Sequence, residues 1–435
     1  MRRQRYESLK TMTEDFLHFV WKFKMLIPPI FLKSGEEVHI LSSGIHNHDA
    51  GPDFFNAQIR FGNTRWAGNV EIHINASDWY KHNHQDDPAY DNIILHVVYH
   101  ADQKVYRRNK ESIPTLELYE HIDENLLNKY LMMIGSPEHI PCKNIIKEVN
   151  PLVIRNMFER SLIERLEQKS IFILNKLVQN KYNWEQSFYE HLAGSFGLKV
   201  NAEAFELLAK SLPVKYLAKH RSELLQLEAM LFGQAGFLSN KYKDSYPNEL
   251  KAEYLHLQRK FSFKPISLHH WKFLRLRPSN FPGIRISQFA DLIHQSFSLF
   301  SRMLEVDDVH QLHQMLKVKA SEYWNIHYRF DSKSIFRPKT KSLGEGSRTL
   351  IMINTMIPFL FVYGTQKSDR SFCNRALQFL EDIRAENNKI IRIWKTSGIP
   401  VDTAFESQAL LQLFNHYCRN KKCLDCKIGI NLLGS

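Results

Sequence analysis

The first part of the sequence contains two carboxylates and a histidine within about 20 residues. These residue types occur together in the active sites of metal-dependent hydrolases. Asp53 follows Gly-Pro in GPDFFNAQIRF (51–61), and Glu71 and His73 lie inside the apolar run NVEIHIN (69–75). Paired carboxylates with water form the oxygen shell that Mg²⁺ or Mn²⁺ prefers. A metal ion held there polarises a phosphoryl oxygen and lowers the pKa of an attacking water. The spacing therefore predicts a Mg²⁺ or Mn²⁺ site with Asp53 and Glu71 as ligands and His73 beside them.

Histidines are dense in the same region, with eight between residues 39 and 100. Two or three of those in the loops, together with Asp49, can hold zinc in a hydrolase that acts on a small molecule. The loop histidines are His46, His48, His82 and His84. The alternative interpretation is that they are hydrogen-bonding loop residues and that Glu71 and His73 form a satisfied cross-strand pair.

A second group of possible metal ligands lies in HYCRNKKCLDCKIG, near the C-terminus. It has the spacing Cys418-x4-Cys423-x2-Cys426. Thiolates select zinc or iron–sulfur clusters, and a short loop can present three of them at once. The pattern predicts bound zinc or a [4Fe–4S] cluster, and the alternative is a set of reduced thiols. The fourth ligand stays open among His416, Cys373 and Cys142.

Hydrophobic periodicity predicts the elements that carry these residues. MTEDFLHFVWKFKM (12–25) has one apolar helical face and a possible N-cap at Thr13. Alternation along NVEIHIN places Glu71, His73 and Asn75 on one face of a strand, opposite Val70, Ile72 and Ile74. The predicted strands are 36–41, 56–61, 69–75, 91–100 and 113–119, with a Gly-Asn turn at 62–63 between the second and third.

The pattern changes to helical periodicity after residue 122 and keeps it to the end of the chain. Segments such as VIRNMFERSLIERLEQKSIFILNKLV (153–178) and ISQFADLIHQSFSLFSRML (286–304) repeat apolar residues every three to four positions. The sequence thus predicts an α+β protein. A mixed-sheet domain (1–135) precedes a Pro-rich linker (136–151) and a larger all-α domain (152–435), which ends in the cysteine tail.

Charge is distributed unevenly along a chain whose formal net charge is +12. Residues 1–150 hold 17 Lys and Arg against 20 Asp and Glu, and residues 151–435 hold 41 against 26. A positive field attracts nucleic acid, because phosphates bound by cations release their counterions. The segment HHWKFLRLRPSNFPGIR (269–285) interleaves aromatics with basic residues, which predicts nucleic-acid contact. The contacting residues would be Arg275, Arg277 and Arg285.

The remaining bulk features indicate a cytoplasmic protein that is not inserted in a membrane. Five cysteines suit reduced thiols better than a disulfide framework. LIMINTMIPFLFVYG (350–364) contains Asn354, Thr355 and Pro358 and is shorter than the roughly 20 apolar residues of a membrane helix. We interpret it as a buried core helix. The sequence does not indicate an oligomeric state.

The segment GPDF, a β-turn-β unit and then VEIH resemble the core of the PD-(D/E)XK nucleases. This resemblance implies a restriction-endonuclease-like domain that hydrolyses DNA or RNA. Asp53 and Glu71 match the family's acidic residues, and His73 occupies the position of its lysine, where it would orient the attacking water. Some nucleases of this group also hold an iron–sulfur cluster through cysteines late in the chain.

A second resemblance covers nearly the whole chain. GPDFFNAQIRF, VEIHINASDW, YDNIILHVVYH, LFGQAGFL, LRPSNFP, SRTLIMINTMIPFLF and the cysteine tail resemble the bacterial domain of unknown function 2851 family, which implies a family and no activity. The sequence therefore leaves three alternative functions: a metal-dependent nuclease, a non-catalytic nucleic-acid-binding or scaffold protein with a nuclease-like fold, and a zinc hydrolase.

Overall fold

The computed structural model describes residues 12–274, 276–296, 298–334 and 337–434. The chain divides into two compact units. Unit 1 comprises the residues up to Glu159, Ile393–Ile399 and the residues from Leu413 onward. Unit 2 comprises Arg160–Arg392 and Pro400–Gln412.

Unit 1 is built on a mixed β-sheet. Its elements up to residue 135 are α1 (Glu14–Lys22), β1 (Val38–Ser42), β2 (Ile45–His46), β3 (Phe54–Phe61), β4 (Thr64–Asn75), α2 (Asp78–Lys81), β5 (Ile93–His100), β6 (Thr115–Glu117) and α3 (Glu124–Gly135). The sheet order is β1-β3-β4-β5-β6, and β2 pairs with β3. Strands β1, β3 and β4 are antiparallel, whereas β5 is parallel to β4 and β6 is parallel to β5.

The connection between β4 and β5 determines what lies over the sheet. A parallel pair requires a crossover because the chain must return to the starting edge of the sheet. Residues 76–92 make this crossover with α2 and the two 3₁₀ turns His84–Asp86 and Pro88–Tyr90. His82 and His84 lie in this segment, so the crossover brings loop histidines to the strands.

The mixed α+β class and the local predictions for unit 1 are confirmed. Helix α1 begins after Thr13, whose Oγ1 accepts a hydrogen bond from Phe16 N at 3.3 Å. All five predicted strands are present, and Gly62 and Asn63 form the turn between β3 and β4. Strand β2 was not predicted, because two residues are too short for alternation to be visible.

The domain limits differ from the predicted ones at both ends of the helical part. The segment predicted as a linker (136–151) lies in unit 1 and buries Ile140, Cys142 and Ile146. The cysteine tail, predicted with the helical domain, also belongs to unit 1. The physical reason is the apolar character of both segments, since helix α18 (Lys427–Gly434) buries four of its eight residues.

Unit 2 is predominantly helical, and two of its boundary helices continue into unit 1. Beyond α3 the described α-helices are α4 (Pro151–Gln179), α5 (Trp184–Phe196), α6 (Leu198–Ser211), α7 (Val214–Lys219), α8 (Leu224–Gln234), α9 (Ser245–Phe261), α10 (Pro282–Gln295), α11 (Leu299–Leu304), α12 (Val309–Met315), α13 (Glu345–Ile351), α14 (Ile357–Lys367), α15 (Arg370–Asp382), α16 (Lys389–Thr396) and α17 (Ala404–Gln412). A two-stranded hairpin, β7 (His327–Arg329) and β8 (Ser332–Lys333), and the π-helical stretch Met352–Met356 interrupt them. A second π-helical stretch, Leu413–Cys418, follows α17 in unit 1. The predicted all-α character therefore has one small exception.

One helical stretch, Glu345–Lys367, is long and apolar enough to cross a membrane by length and composition alone. Inside the protein, 61% of its most apolar window is buried. Ile357, Phe359 and Leu360 are each at most 1% exposed. This burial is what a core helix shows.

Replacing Gly44 by Ala is expected to destabilise unit 1. Gly44 has φ of +87°, and a Cβ there would lie 2.5 Å from Phe55 O and 3.0 Å from Ala57 N. The left-handed backbone costs a non-glycine residue about 1 kcal/mol. Because the clash is with backbone atoms that cannot rotate away, we expect a total loss of about 2–4 kcal/mol in the free energy of unfolding.

Gly35→Ala is the matched control for this prediction. Gly35 has φ of +92° but nothing within 4 Å of the added Cβ, so it tests the backbone conformation without the clash. Thermal unfolding followed by tryptophan fluorescence measures both variants. Equal losses of stability in the two variants would contradict the packing argument.

Candidate metal centre

Asp53 and Glu71 face each other across the start of the β3–β4 pair. The backbone N–H of Asp53 donates to Glu71 Oε2 at 3.1 Å, and the N–H of Ile72 donates to Asp53 Oδ2 at 2.9 Å. Phe54 is paired with Val70, which places residues 53 and 71 opposite each other. The register then shifts between Phe54 and Ala57, so a bulge follows the site. The two carboxylates converge, as the spacing predicted.

His73 lies between two other imidazole rings on the same face of the sheet. Its Nδ1 is 2.9 Å from His96 Nε2, and its Nε2 is 3.0 Å from His82 Nδ1. His73 is 1% exposed and His96 is fully buried. The strand pairing explains the arrangement, because Glu71 of β4 lies beside His96 of β5. Both ring nitrogens of His73 are therefore already in contact with other histidines.

The imidazole of His84 is the fourth in this group of histidines. Its Nε2 lies 3.2 Å from Glu71 Oε1, and His73 Nε2 lies 3.6 Å from the same oxygen. The ring of His84 stacks on Tyr90 with centroids 3.8 Å apart. Although buried, His84 Nε2 has no hydrogen-bond partner in the part of the chain that the structure describes. The nitrogen thus approaches the Glu71 oxygen without hydrogen-bond geometry, an arrangement that is compatible with two ligand atoms of one metal ion.

The ligand atoms of His73, His82 and His84 all lie within 4.8 Å of one another. With Glu71 Oε1 they make four donor atoms. His73 Nε2 lies 3.0 Å from His82 Nδ1, and Glu71 Oε1 lies 3.2 Å from His84 Nε2 and 3.6 Å from His73 Nε2. Around a tetrahedral zinc with bonds of about 2.0–2.1 Å, neighbouring ligand atoms lie roughly 3.3 Å apart. The spacing therefore fits a metal ion held by Glu71, His73, His82 and His84. Imidazoles suit zinc, iron and other transition metals better than Mg²⁺.

Helix α1 adds two side chains that sequence reasoning did not identify. His18 Nε2 lies 3.3 Å from Asp53 Oδ2. Glu14, one turn earlier, is close enough to His82 and Asp53 for their charges to act on its pKa. Their spacing of four residues puts both on one helical face, and this was the available signal. It could not be used because the face that α1 turns to the sheet depends on long-range packing.

Burial dominates the protonation of the metal-free centre. Burial raises the pKa of Glu71 to about 9, with a further contribution from the charge of Asp53. Burial and the neighbouring imidazoles lower the pKa of His73 to about 2. Burial also disfavours charge on His18, but the proximity and negative charge of Asp53 outweigh this effect and raise its pKa. Burial thus keeps the His73 ring neutral, whereas Asp53 favours the cationic form of His18.

Acidification is expected to destabilise the metal-free protein partly through His96. Burial lowers the pKa of His96 from 6.5 to about 3, so its ring is neutral in the folded state over a range where the unfolded chain is protonated. The unfolded state then binds more protons, and stability falls as pH decreases. The contribution is fully present above pH 6.5 and is lost progressively toward about pH 3.

Urea unfolding of chelator-treated protein between about pH 7 and about pH 4 measures this effect. His96→Gln, which removes the titrating ring, is expected to flatten the dependence. An unchanged slope in that variant would show that His96 does not contribute. His39→Gln, at a half-buried position on β1 where the side chain is 41% exposed, is the control.

The other histidines of the predicted zinc set are not among the ligand atoms that His73, His82 and His84 bring together, although the ring of His46 contacts that of His18 with centroids 5.2 Å apart. His46 contacts His48, with ring centroids 4.3 Å apart, and Phe54, at 4.7 Å. Asp49 is exposed, and its backbone groups bond to Asn47. The structure therefore groups His82 and His84 with Glu71 and His73, and it does not group them with Asp49.

The predicted nucleic-acid contacts have different positions. Arg285 is 4% exposed, and its guanidinium donates to Asn280 Oδ1 at 2.6 Å and to Ser347 Oγ at 3.0 Å. It is therefore a buried structural residue within unit 2, and the prediction of a direct phosphate contact is corrected. Arg277 is exposed, so its contact stays a prediction. Arg275 lies outside the described residues.

The three cysteines of the tail are buried, and none of the five cysteines forms a disulfide. His416, one of the possible fourth ligands, is exposed. Cys373 belongs to unit 2, where its Sγ lies 3.6 Å from Phe361 O. Cys142 belongs to unit 1 with the tail.

Comparisons with known proteins give one match. A family model described as "Protein of unknown function (DUF2851)" matches residues 14–389, which is more than half of the chain. No curated protein and no solved structure matches this chain.

Proposed function

We propose that this chain, which belongs to the DUF2851 family, is a divalent-metal-dependent nuclease that hydrolyses phosphodiester bonds of DNA or RNA. One observation carries the proposal: Glu71 and the rings of His73, His82 and His84 converge beside Asp53. Buried carboxylate and imidazole groups that perturb each other's pKa are typical of functional sites.

The order of elements in unit 1 supports a nuclease of PD-(D/E)XK type. Helix α1 precedes three antiparallel strands, a crossover that contains a helix, and a parallel strand. Asp53 lies directly before the second long strand, β3, and Glu71 lies within the third, β4. These are the positions that the resemblance assigns to the two acidic residues.

The donor set refines the metal that the site would hold. Glu71, His73, His82 and His84 would bind a transition metal such as Mn²⁺ or Zn²⁺, with Asp53 close by. When bound, such an ion polarises a phosphoryl oxygen and lowers the pKa of a water molecule. Because both nitrogens of His73 contact other rings, its geometry supports a role as metal ligand over the predicted role of orienting water.

Asp53 and His18 are placed for the remaining roles. Asp53 Oδ2 is fixed by the N–H of Ile72, which holds the carboxylate at the edge of the centre, where it can accept a proton from water. Asp53 raises the pKa of His18 and so favours the cationic form of its ring. This ring can therefore stabilise negative charge that develops on a phosphate, the task that a lysine performs in PD-(D/E)XK nucleases.

Nucleic acid as the substrate is supported by charge. Residues 151–435 carry 41 Lys and Arg against 26 Asp and Glu. A field of this sign raises the local concentration of polyanions and makes their binding dependent on salt. Arg277 is an exposed member of this set.

The second candidate function is a zinc hydrolase of a small molecule, which the histidine trio favours. The third candidate is a nucleic-acid-binding protein without catalysis. The positive charge supports it equally, but it does not explain why His84 Nε2 approaches Glu71. Salt-dependent binding to nucleic acid does not distinguish the nuclease from the binding protein.

Cleavage assays with the full-length chain distinguish these functions. Chelator-treated protein would be incubated with labelled single-stranded DNA, double-stranded DNA or RNA after addition of Mn²⁺, Zn²⁺ or Mg²⁺. We expect cleavage with Mn²⁺ or Zn²⁺ and little with Mg²⁺. Absence of cleavage of every nucleic acid with every ion would reject the nuclease, and hydrolysis of only a small phosphodiester such as bis(4-nitrophenyl) phosphate would favour the second candidate.

A further inference from the structure

Four cysteines of unit 1 share one environment. Cys142, Cys418, Cys423 and Cys426 are 8%, 9%, 7% and 8% exposed. Cys418, Cys423 and Cys426 lie on one short loop, and Cys142 belongs to the same compact unit. Sequence spacing grouped only the last three.

Backbone packing independently brings Cys142 to the tail. The 3₁₀ turn Ile146–Glu148 begins four residues after Cys142 and packs against α18, which begins directly after Cys426. Helix α3 packs against α18 as well, and Lys421 Nζ donates to the carbonyl of Ile134. The two segments that carry the thiols are thus packed together within unit 1.

The loop that carries the other three cysteines is tightly folded. Lys421 N–H donates to Cys418 O at 3.1 Å, and Cys426 N–H donates to Cys423 O at 3.3 Å. Gly429 is required below the loop, because a Cβ there would lie 2.1 Å from Cys423 O. Loop and last helix therefore hold the three cysteines in a fixed arrangement.

We propose that Cys142, Cys418, Cys423 and Cys426 bind an iron–sulfur cluster. Three cysteines in the spacing C-x4-C-x2-C with a fourth far away in sequence are an iron–sulfur pattern, whereas zinc sites more often combine two close pairs. The cluster with four thiolates is anionic, and the loop supplies exposed cations at Arg419, Lys421 and Lys422. Cys142 answers the question of the fourth ligand.

The cluster has a structural role for the catalytic side of unit 1. The turn Cys423–Asp425 packs against α1. Tyr130, whose pKa is affected by Cys423, stacks on Phe16 of α1 with centroids 4.5 Å apart and bonds to Thr13 Oγ1 at 2.8 Å. Helix α1, which carries Glu14 and His18, therefore packs against residues that surround the cysteines.

Anaerobic purification of the full-length chain with analysis of iron, acid-labile sulfide and zinc tests this site. We expect iron and sulfide in equal amounts, about two or about four per chain, with a visible absorption band that dithionite bleaches. The iron-to-chain ratio and the electron paramagnetic resonance spectrum of the reduced protein identify the cluster type. One zinc per chain in place of iron, or no metal after reconstitution with iron and sulfide, would overturn the proposal.

Cys142→Ser and Cys373→Ser form the matched pair for the fourth ligand. We expect Cys142→Ser to lose most of the iron and Cys373→Ser to keep it. Full iron content with an unchanged spectrum in Cys142→Ser would exclude Cys142. If Cys142→Ser does not fold, His416→Ala decides in its place, because loss of iron there would overturn the assignment and unchanged iron would support it.

Discussion

Glu71→Gln is expected to lower the rate of Mn²⁺-dependent nucleic-acid cleavage by on the order of 10³-fold. Glu71 supplies the carboxylate oxygen that faces His73 and His84. A neutral amide is a poor ligand, and a bound metal contributes several kcal/mol to stabilising charge at a phosphate. Each 1.36 kcal/mol that is lost corresponds to a tenfold change in rate. Single-turnover cleavage of a labelled oligonucleotide measures the effect.

The substitution is designed to preserve the fold. The amide oxygen of Gln can still accept the bond from Asp53 N–H that Glu71 Oε2 accepts. Because burial raises the pKa of Glu71 to about 9, the neutral form is already favoured in the metal-free protein. Unfolding of the chelated variant should therefore match that of the unmodified protein. Glu120→Gln, at an exposed position, is the control. Cleavage by Glu71→Gln at the unmodified rate would show that Glu71 is not part of the site.

His84→Phe is expected to weaken binding of Mn²⁺ or Zn²⁺ to unit 1 by at least about 100-fold. His84 Nε2 is buried beside Glu71 Oε1 and has no hydrogen-bond partner among the described residues. Loss of a ligand should cost more than loss of a residue that only orients one, which costs about 10–100-fold. Phenylalanine keeps an aromatic ring against Tyr90, where His84 now stacks.

Competition with a metal-binding dye measures the affinity, and His39→Phe, at a half-buried position on β1, is the control. The cysteine-bound iron should be the same in both variants, because His84 and the cysteines belong to different groups of residues. If His84→Phe binds the ion as tightly as the unmodified protein, His84 is a packing residue, and the remaining ligands would have to be sought around Asp53.

Local patterns predicted the parts of unit 1 that depend on neighbours in sequence. Thr13 caps α1, Gly62 and Asn63 make the turn, and alternation correctly put Glu71 and His73 on one face of β4. These features are visible because caps, turns and strands are decided within a few residues.

The burial of that polar face was not predictable in the same way. Alternation indicated a polar row, yet Glu71 is 4% exposed and His73 is 1% exposed. The cover comes from the crossover that carries His84 and from α1, which carries His18. Neither segment has a sequence signal for where it packs.

What the sequence could not decide in unit 2 and the tail has the same origin. The basic pattern around Arg285 looks equally suitable for solvent and for the interior, and only the neighbouring Asn280 and Ser347 show which applies. The sequence left the fourth ligand of the tail open among His416, Cys373 and Cys142, because the packing of the turn Ile146–Glu148 against α18 has no local sequence signal.

The composition of unit 1 from distant segments has a consequence for biosynthesis. Translation makes Cys142 early and Cys418 late, and unit 2 is made almost entirely between them. At about 5–20 residues per second, the ribosome needs roughly 15–60 s to cover that interval. The proposed four-thiol site is therefore completed only after unit 2 has been synthesised, and Cys142 precedes its three proposed partners by this interval.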